Sequence, residues 1–228
     1  PSMDPLNNKP FYNPLLAEEF NPTDRSYTVI NWGLVPKPNI NRGDVLFYSR
    51  YRDIGNGVLE LTFYCYNFGN RVYNFAETPW FAVRPSKLPN MIEGINASSL
   101  FQTNNKSFQD GAIDPSGGWG AHTVNPKDPN SLTCAVVWGK DTVHAVNFGL
   151  VDSGERDMAL ISPSTGRILM SYGTGFYYKR YVVFGKLVDV SNICASLHQY
   201  AELTDIEFST DYSSKLPVYQ TTLEGQAV

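Results

Sequence analysis

Charge, cysteine, histidine and long apolar runs are all scarce in this chain, and each shortage excludes a class of function. Charged residues make up 18% of 228, and 18 Lys and Arg against 22 Asp and Glu leave a formal net charge of −4. No run of basic residues interrupts the mixture, so the electrostatic footprint of a nucleic-acid binder is missing and no such partner is expected. No apolar stretch approaches the roughly 20 residues that a membrane-spanning helix needs. The 3 cysteines, Cys65, Cys134 and Cys194, are odd in number, far apart and set among apolar neighbours. They read as small buried hydrophobes, with neither a disulfide framework nor a CxxC or Cys/His metal spacing. Gly-x-Ser-x-Gly, the P-loop, the glycine dinucleotide fingerprint and His-Glu-x-x-His are absent as well, so no cofactor or metal is implied.

Aromatic side chains are plentiful: 13 Phe, 14 Tyr and 4 Trp, or 14% of residues, within a hydrophobic total of 42%. Disordered chains are poor in aromatics, so this one folds. Its length suits one large domain or two small ones, and an all-β sandwich of this size counts as one. Neither an internal repeat nor a domain-splitting linker is present. Residues 1–43 are rich in Pro and Asn (Asn7-Asn8, Asn13-Pro14, Asn21-Pro22, Pro36-Lys37-Pro38), and only Ser26 to Trp32 reads as a strand. An extended arm is expected there, followed by a single sandwich domain over residues 44–228. Without an initiator Met or a secretory signal, the chain is expected to be a piece of a longer one. Two sequons, Asn96-Ala97-Ser98 and Asn105-Lys106-Ser107, fit a secreted protein, extracellular or periplasmic.

Val45 to Arg52, the turn cluster Asp53-Ile54-Gly55-Asn56-Gly57, and Val58 to Phe68 predict a β-hairpin, because Asn and Gly tolerate the positive φ of a tight turn. Thr133 to Trp138, Val143 to Val151, Met158 to Ile161, Arg167 to Tyr172 and Arg180 to Val190 predict further strands. Many strands at short spacing predict a large antiparallel two-sheet β-sandwich. Residues 85–130, with Pro89, Pro115, Gly117-Gly118 and Pro126 to Pro129, read as long loops. Ile193, Leu197, Tyr200 and Ala201 at helical spacing predict one short C-terminal helix, from about 192 to 202.

Parity sorts the hairpin's second arm. Leu59, Leu61, Phe63 and Cys65 make an apolar core face, while Val58, Glu60, Thr62, Tyr64 and Tyr66 make a polar stripe with aromatic rings and one carboxylate. Such a stripe is either a plain solvent face or a platform on which sugar rings stack. Trp80 and Arg84 stand four apart on an extended segment and face the same way. They offer a stacking plane and a fork of donors for a sugar, or else a structural cation–π pair. His122 lies in Gly117-Gly118-Trp119-Gly120-Ala121-His122, where backbone can approach a ligand and a neutral imidazole can move protons. The plainer account of that segment is a Trp packed over a sheet end. His144 and His198 read as structural. Asp152, Glu155 and Asp157 suit Ca²⁺, or a solvated acidic turn around Arg156, and Gly173-Thr174-Gly175 is a simple turn.

The succession Tyr51-Arg52-Asp53-Ile54-Gly55-Asn56-Gly57-Val58-Leu59-Glu60, Thr78-Pro79-Trp80-Phe81-Ala82-Val83-Arg84, Gly117-Gly118-Trp119-Gly120, and Tyr177-Tyr178-Lys179-Arg180-Tyr181-Val182-Val183-Phe184-Gly185 resembles the β-supersandwich (galactose-mutarotase-like) domains of carbohydrate-active proteins, over about residues 45–200. The resemblance implies a concave sheet that binds saccharides. The superfamily's members include hydrolases, lyases, epimerases and domains without catalysis, and their catalytic sets differ, so no catalytic residue is carried over by motif.

The leading expectation is a carbohydrate-binding or carbohydrate-processing sandwich acting on a poly- or oligosaccharide. Trp80, Arg84, Trp119, Tyr64 and Tyr66 would grip the glycan, with His122 and Glu60 as acid/base candidates in a hydrolase or lyase. The alternative is a structural protein, a capsid, surface or assembly sandwich, whose first 43 residues wrap a partner: another copy, or the remainder of a larger chain.

Overall fold

The computed structural model describes residues 2–3, 10–11, 14–35, 41–69, 73–75, 81–103, 111–139, 145–150, 159–164, 168–170 and 173–202. Its strands are β1 (Ser2–Met3), β2 (Pro10–Phe11), β3 (Leu15–Asn21), β4 (Ser26–Val35), β5 (Asn41–Gly55), β6 (Val58–Asn67), β7 (Tyr73–Phe75), β8 (Phe81–Val83) and β9 (Asn90–Gly94). There follow β10 (Phe101–Thr103), β11 (Gly111–Ile113), β12 (Trp119–Thr123), β13 (Leu132–Val137), β14 (Ala145–Leu150), β15 (Ala159–Ser164), β16 (Ile168–Met170), β17 (Thr174–Lys186) and the helix α1 (Leu187–Glu202). Nine strands form one sheet in the order β10-β9-β12-β13-β17-β6-β5-β4-β3, and four form a second in the order β11-β14-β15-β8. The pairs β1-β2 and β16-β7 complete the described pairings, and the fold is all-β with antiparallel neighbours throughout.

Side-chain alternation makes the nine-stranded sheet a two-sided layer. On one side Met91, Val136 and Trp138 meet Ile113, Val146 and Ile161 of the smaller sheet, forming the sandwich core. On the other, Val58, Ile92, Trp119, Val137, Tyr181 and Val183 pack with Leu187, Val190 and Cys194 of α1. These are the sandwich face and the helix face. In β6, Val58 belongs to the helix face, so Leu59, Leu61, Phe63 and Cys65 point to the sandwich face, where the last three are buried.

The β5–β6 hairpin closes through Asn56 and Gly57, both at positive φ (53° and 73°), the tight-turn geometry that matches strand twist. Glycine is needed twice over at 57. A Cβ there would sit 2.2 Å from the Phe184 carbonyl oxygen, and Phe184 N–H donates to the Gly57 carbonyl at 2.8 Å. Helix α1 begins at Leu187, earlier than the helical spacing predicts, and the strand before it ends at Lys186. Its cap comes from elsewhere in the chain: Leu187 N–H donates to the Ser131 carbonyl at 2.9 Å and Val188 N–H to that of Pro129 at 3.1 Å. Buried Leu187, Val190, Ser191, Cys194 and His198 follow the one-face helical pattern.

Residues 85–130 differ from the long loops expected, since β9, β10, β11 and β12 lie within them. β9 and β10 pair with each other, but β9 also joins β12 and β11 joins β14, partners about thirty residues away, and runs this short carry little local signal. Part of the stretch read as an arm also forms sheet: β3 and β4 are its outermost strands, joined by a turn with Arg25 at φ 55°.

Candidate functional site

Four of the sequence-derived candidates share the helix face. Trp119 stands opposite Val137, Val137 opposite Tyr181, Tyr181 opposite Glu60, and Glu60 opposite Arg52. Trp119 and Glu60 are thus on one rung, three strand spacings apart, or about 14 Å. Tyr64 and Tyr66 lie four and six residues along β6 from Glu60, on the same side. His122 is an odd offset from Trp119 in an unbroken strand, so it points to the sandwich face, and the sheet separates it from Glu60.

Burial divides these residues further. Trp119 is 0% exposed, and its indole Nε1–H donates to the Ser98 carbonyl at 3.0 Å. A ring with no exposed face gives a sugar nothing to stack on, so Trp119 here packs the core against α1. Gly94 makes room for it, since a Cβ there would lie 2.4 Å from Nε1. His122 is also 0% exposed, and burial pushes its pKa down to about 4. An imidazole so enclosed is not poised for proton exchange near neutral pH. Tyr64 is buried, whereas Tyr66 keeps part of its surface. Arg84 is exposed and follows β8, in the other layer, where its carbonyl accepts the Lys87 and Leu88 N–H groups at 2.9 Å each. Trp80, His144, Asp152, Glu155, Asp157 and the sequon Asn105-Lys106-Ser107 lie outside the described residues.

Around Glu60 the register assembles a patch that reading β6 alone misses. Glu19, Thr28, Arg50, Thr62 and Lys179 stand in line across five strands, and Ser26, Arg52 and Glu60 form the next rung. On the far side come Ile30, Tyr48 and Tyr64, then Trp32, Leu46 and Tyr66. The Glu60 carboxylate is ion-paired on both sides: Arg52 Nη2 lies 3.0 Å from Oε1 and Lys179 Nζ 3.6 Å from Oε2. Its side chain is 9% exposed against 37% for Arg52 and 23% for Lys179, so the anion is sunk between cations whose ends reach solvent. Arg50 pairs with Asp24, which also accepts the Ser26 hydroxyl at 2.6 Å. That hydroxyl, with the Arg50 charge, holds the Asp24 carboxyl below its usual range. Burial raises the Tyr48 phenol above its usual pKa, against the pull of its hydrogen bond with Thr28. Pairing the hairpin's first arm directly across Asn56-Gly57 would set Arg52 against Leu61 and Arg50 against Phe63; a bulge between Asp53 and Gly55 shifts the register by one residue and sets them against Glu60 and Thr62 instead, which the sequence alone does not announce.

Among the described residues no group of three or more His, Cys, Asp and Glu is gathered to hold a metal, and no helix is long and apolar enough to cross a membrane. The patch can act through hydrogen bonds: forked and point-like cationic donors, an ionised acceptor, hydroxyls and phenol rings within one surface.

No protein-family model matches the chain, and no curated protein matches it in sequence. Among solved structures it is similar to the Slr1438 protein of Synechocystis sp. PCC 6803, with a TM-score of 0.49 and 10% identity over 76% of this chain and 66% of that one. It is similar also to a protein provisionally described as an aldose 1-epimerase from Klebsiella pneumoniae, with a TM-score of 0.40 and 10% identity over 78% of this chain and 54% of that one. The chain therefore spans less than two thirds of the first neighbour's length and about half of the second's, and at 10% identity neither similarity says what it binds.

Proposed function

We propose that the helix face of the nine-stranded sheet, beyond the strip packed against α1, binds a poly- or oligosaccharide. The observation that supports this is the continuous surface of Arg50, Arg52, Glu60, Thr62 and Lys179 beside Tyr48 and Tyr66. Sugar hydroxyls both donate and accept, so they suit a surface that mixes cationic forks with an ionised carboxylate. The apolar side of a pyranose suits a tyrosine ring with a polar edge, and Tyr66 is the candidate ring with surface to offer.

Calorimetry and a glycan array over a broad polysaccharide panel test the proposal. Tyr66→Ala and Arg52→Ala are each expected to weaken the best ligand about tenfold, or roughly 1.4 kcal/mol. Trp80→Ala and Arg84→Ala form the second arm: a loss confined to Arg84→Ala moves the site to the other layer, a loss confined to Trp80→Ala takes it off the helix-face patch, and a panel on which nothing binds removes it. Processing is a further step, hydrolysis or lyase cleavage, and Glu60 is the acid/base candidate on this face. New reducing ends or unsaturated-uronate absorbance, absent in Glu60→Gln, would establish it.

A second reading has its own observation. On the outermost strand β3, Leu15 and Phe20 are 53% and 66% exposed, which is the template for edge pairing in an assembly protein. Light scattering separates the readings: Phe20→Lys lowers the mass of an assembly and leaves that of a monomeric glycan binder unchanged.

A further inference from the structure

A cavity of about 300 Å³ opens at the other end of the helix face, between the first turns of α1, the β9–β10 hairpin and the loop joining β12 to β13. Phe101, Pro126, Pro129, Leu187 and Val188 make most of its wall. Ser191 also lines it, but its hydroxyl is already given to the Leu187 carbonyl at 2.8 Å. Lys127 is the one charged residue of the lining. No ion pair engages Lys127 among the described residues. The neighbouring Asp128 carboxylate is turned to the Asn130 N–H, at 2.9 Å.

The walls are preformed. The Asn125 side chain accepts Lys127 N–H at 3.0 Å, Ser131 Oγ accepts Asn125 N–H at 2.7 Å, and the Pro129 and Ser131 carbonyls tie the same loop to α1. A ligand entering such a site loses little affinity to ordering the protein. The volume is at the lower limit of small-molecule sites, roughly 300–1,000 Å³, so it takes a single ring with a short tail rather than a polymer. Ser99 and Asn192 are the cavity's other polar lining residues, and the remainder of the wall is apolar.

We infer that this cavity binds a small aromatic carboxylate, the ring against Phe101 and the two prolines and the carboxylate on Lys127. This site is separate from the proposed saccharide face and does not depend on it.

The test is an NMR titration of the ¹⁵N-labelled full chain with phenylacetate, and with 2-phenylethanol as the uncharged analogue of similar shape. Phenylacetate is expected to shift the Phe101, Lys127, Val188 and Asn192 amides to saturation, with the alcohol about two- to fivefold weaker, the worth of one solvent-accessible ion pair. Lys127→Ala, a surface change, should bring the acid down to the alcohol's affinity, and Val188→Trp should fill the cavity and remove both. Phenylacetate shifts that fail to saturate or centre elsewhere overturn the inference. So do equal affinities of acid and alcohol for the unmodified protein.

Discussion

At position 122 an imidazole is fully enclosed, and that enclosure makes stability depend on pH. Its folded pKa of about 4 lies below the ordinary value of 6.5, so on acidification the unfolded chain takes up a proton that the folded chain refuses. Stability fully present above about pH 6.5 is therefore lost as pH falls toward 4, by on the order of 3 kcal/mol when complete. The urea midpoint should fall between pH 7 and pH 4.5 for the unmodified chain and much less for His122→Gln. An unchanged slope in that variant would assign the effect to other groups. Trp119→Ala is expected to cost about 3–5 kcal/mol, the range for emptying a large aromatic site in a core, and the same urea curves read it. Glu60→Ala leaves Arg52 and Lys179 facing each other without their anion. The expected loss is about 1–2 kcal/mol, less than for a fully buried pair because both cations reach solvent. Adding Lys179→Met to Glu60→Ala should recover part of it. Residue identity did not distinguish these cases. Trp119 and His122 both came from one glycine-rich segment, and only their burial shows that one packs a core and the other is shut away from solvent.

At the scale of elements, the hairpin was legible and the helix start was not, for one physical reason. Asn56-Gly57 carries its turn geometry locally, in the positive φ that both residues tolerate. Gly57→Ala meets both a positive φ and the Phe184 carbonyl, and is expected to destabilise by more than about 1 kcal/mol in thermal or urea unfolding. Gly173→Ala is the comparison: its φ is 71° but nothing lies within 4 Å of the added Cβ, so it isolates the backbone part of the cost. The first turn of α1 is capped by carbonyls of Pro129 and Ser131, more than fifty residues earlier, and no local motif announces that. The short strand β11 has the same character, existing because a distant strand, β14, offers a ladder to join.

For the whole molecule, the helix matters as much as the two sheets. It divides one face of the nine-stranded sheet into a covered apolar part holding Trp119 and a polar, aromatic part holding Glu60 and Tyr66. By itself the sequence determined the all-β class, the central hairpin, the parity that sets Leu61, Phe63 and Cys65 apart from Glu60, Tyr64 and Tyr66, and the exclusion of a membrane-spanning helix. Those properties are local or compositional, and period-two alternation expresses them within a few residues. Only the tertiary structure decided which part of a face is covered, that His122 and Glu60 lie on opposite sides of one sheet, and that Arg52 and Lys179 flank one carboxylate while Arg50 pairs with Asp24. Alternation says which residues share a side of a strand, but what lies over that side depends on strand order and on where a helix docks, and both are contacts between distant parts of the chain.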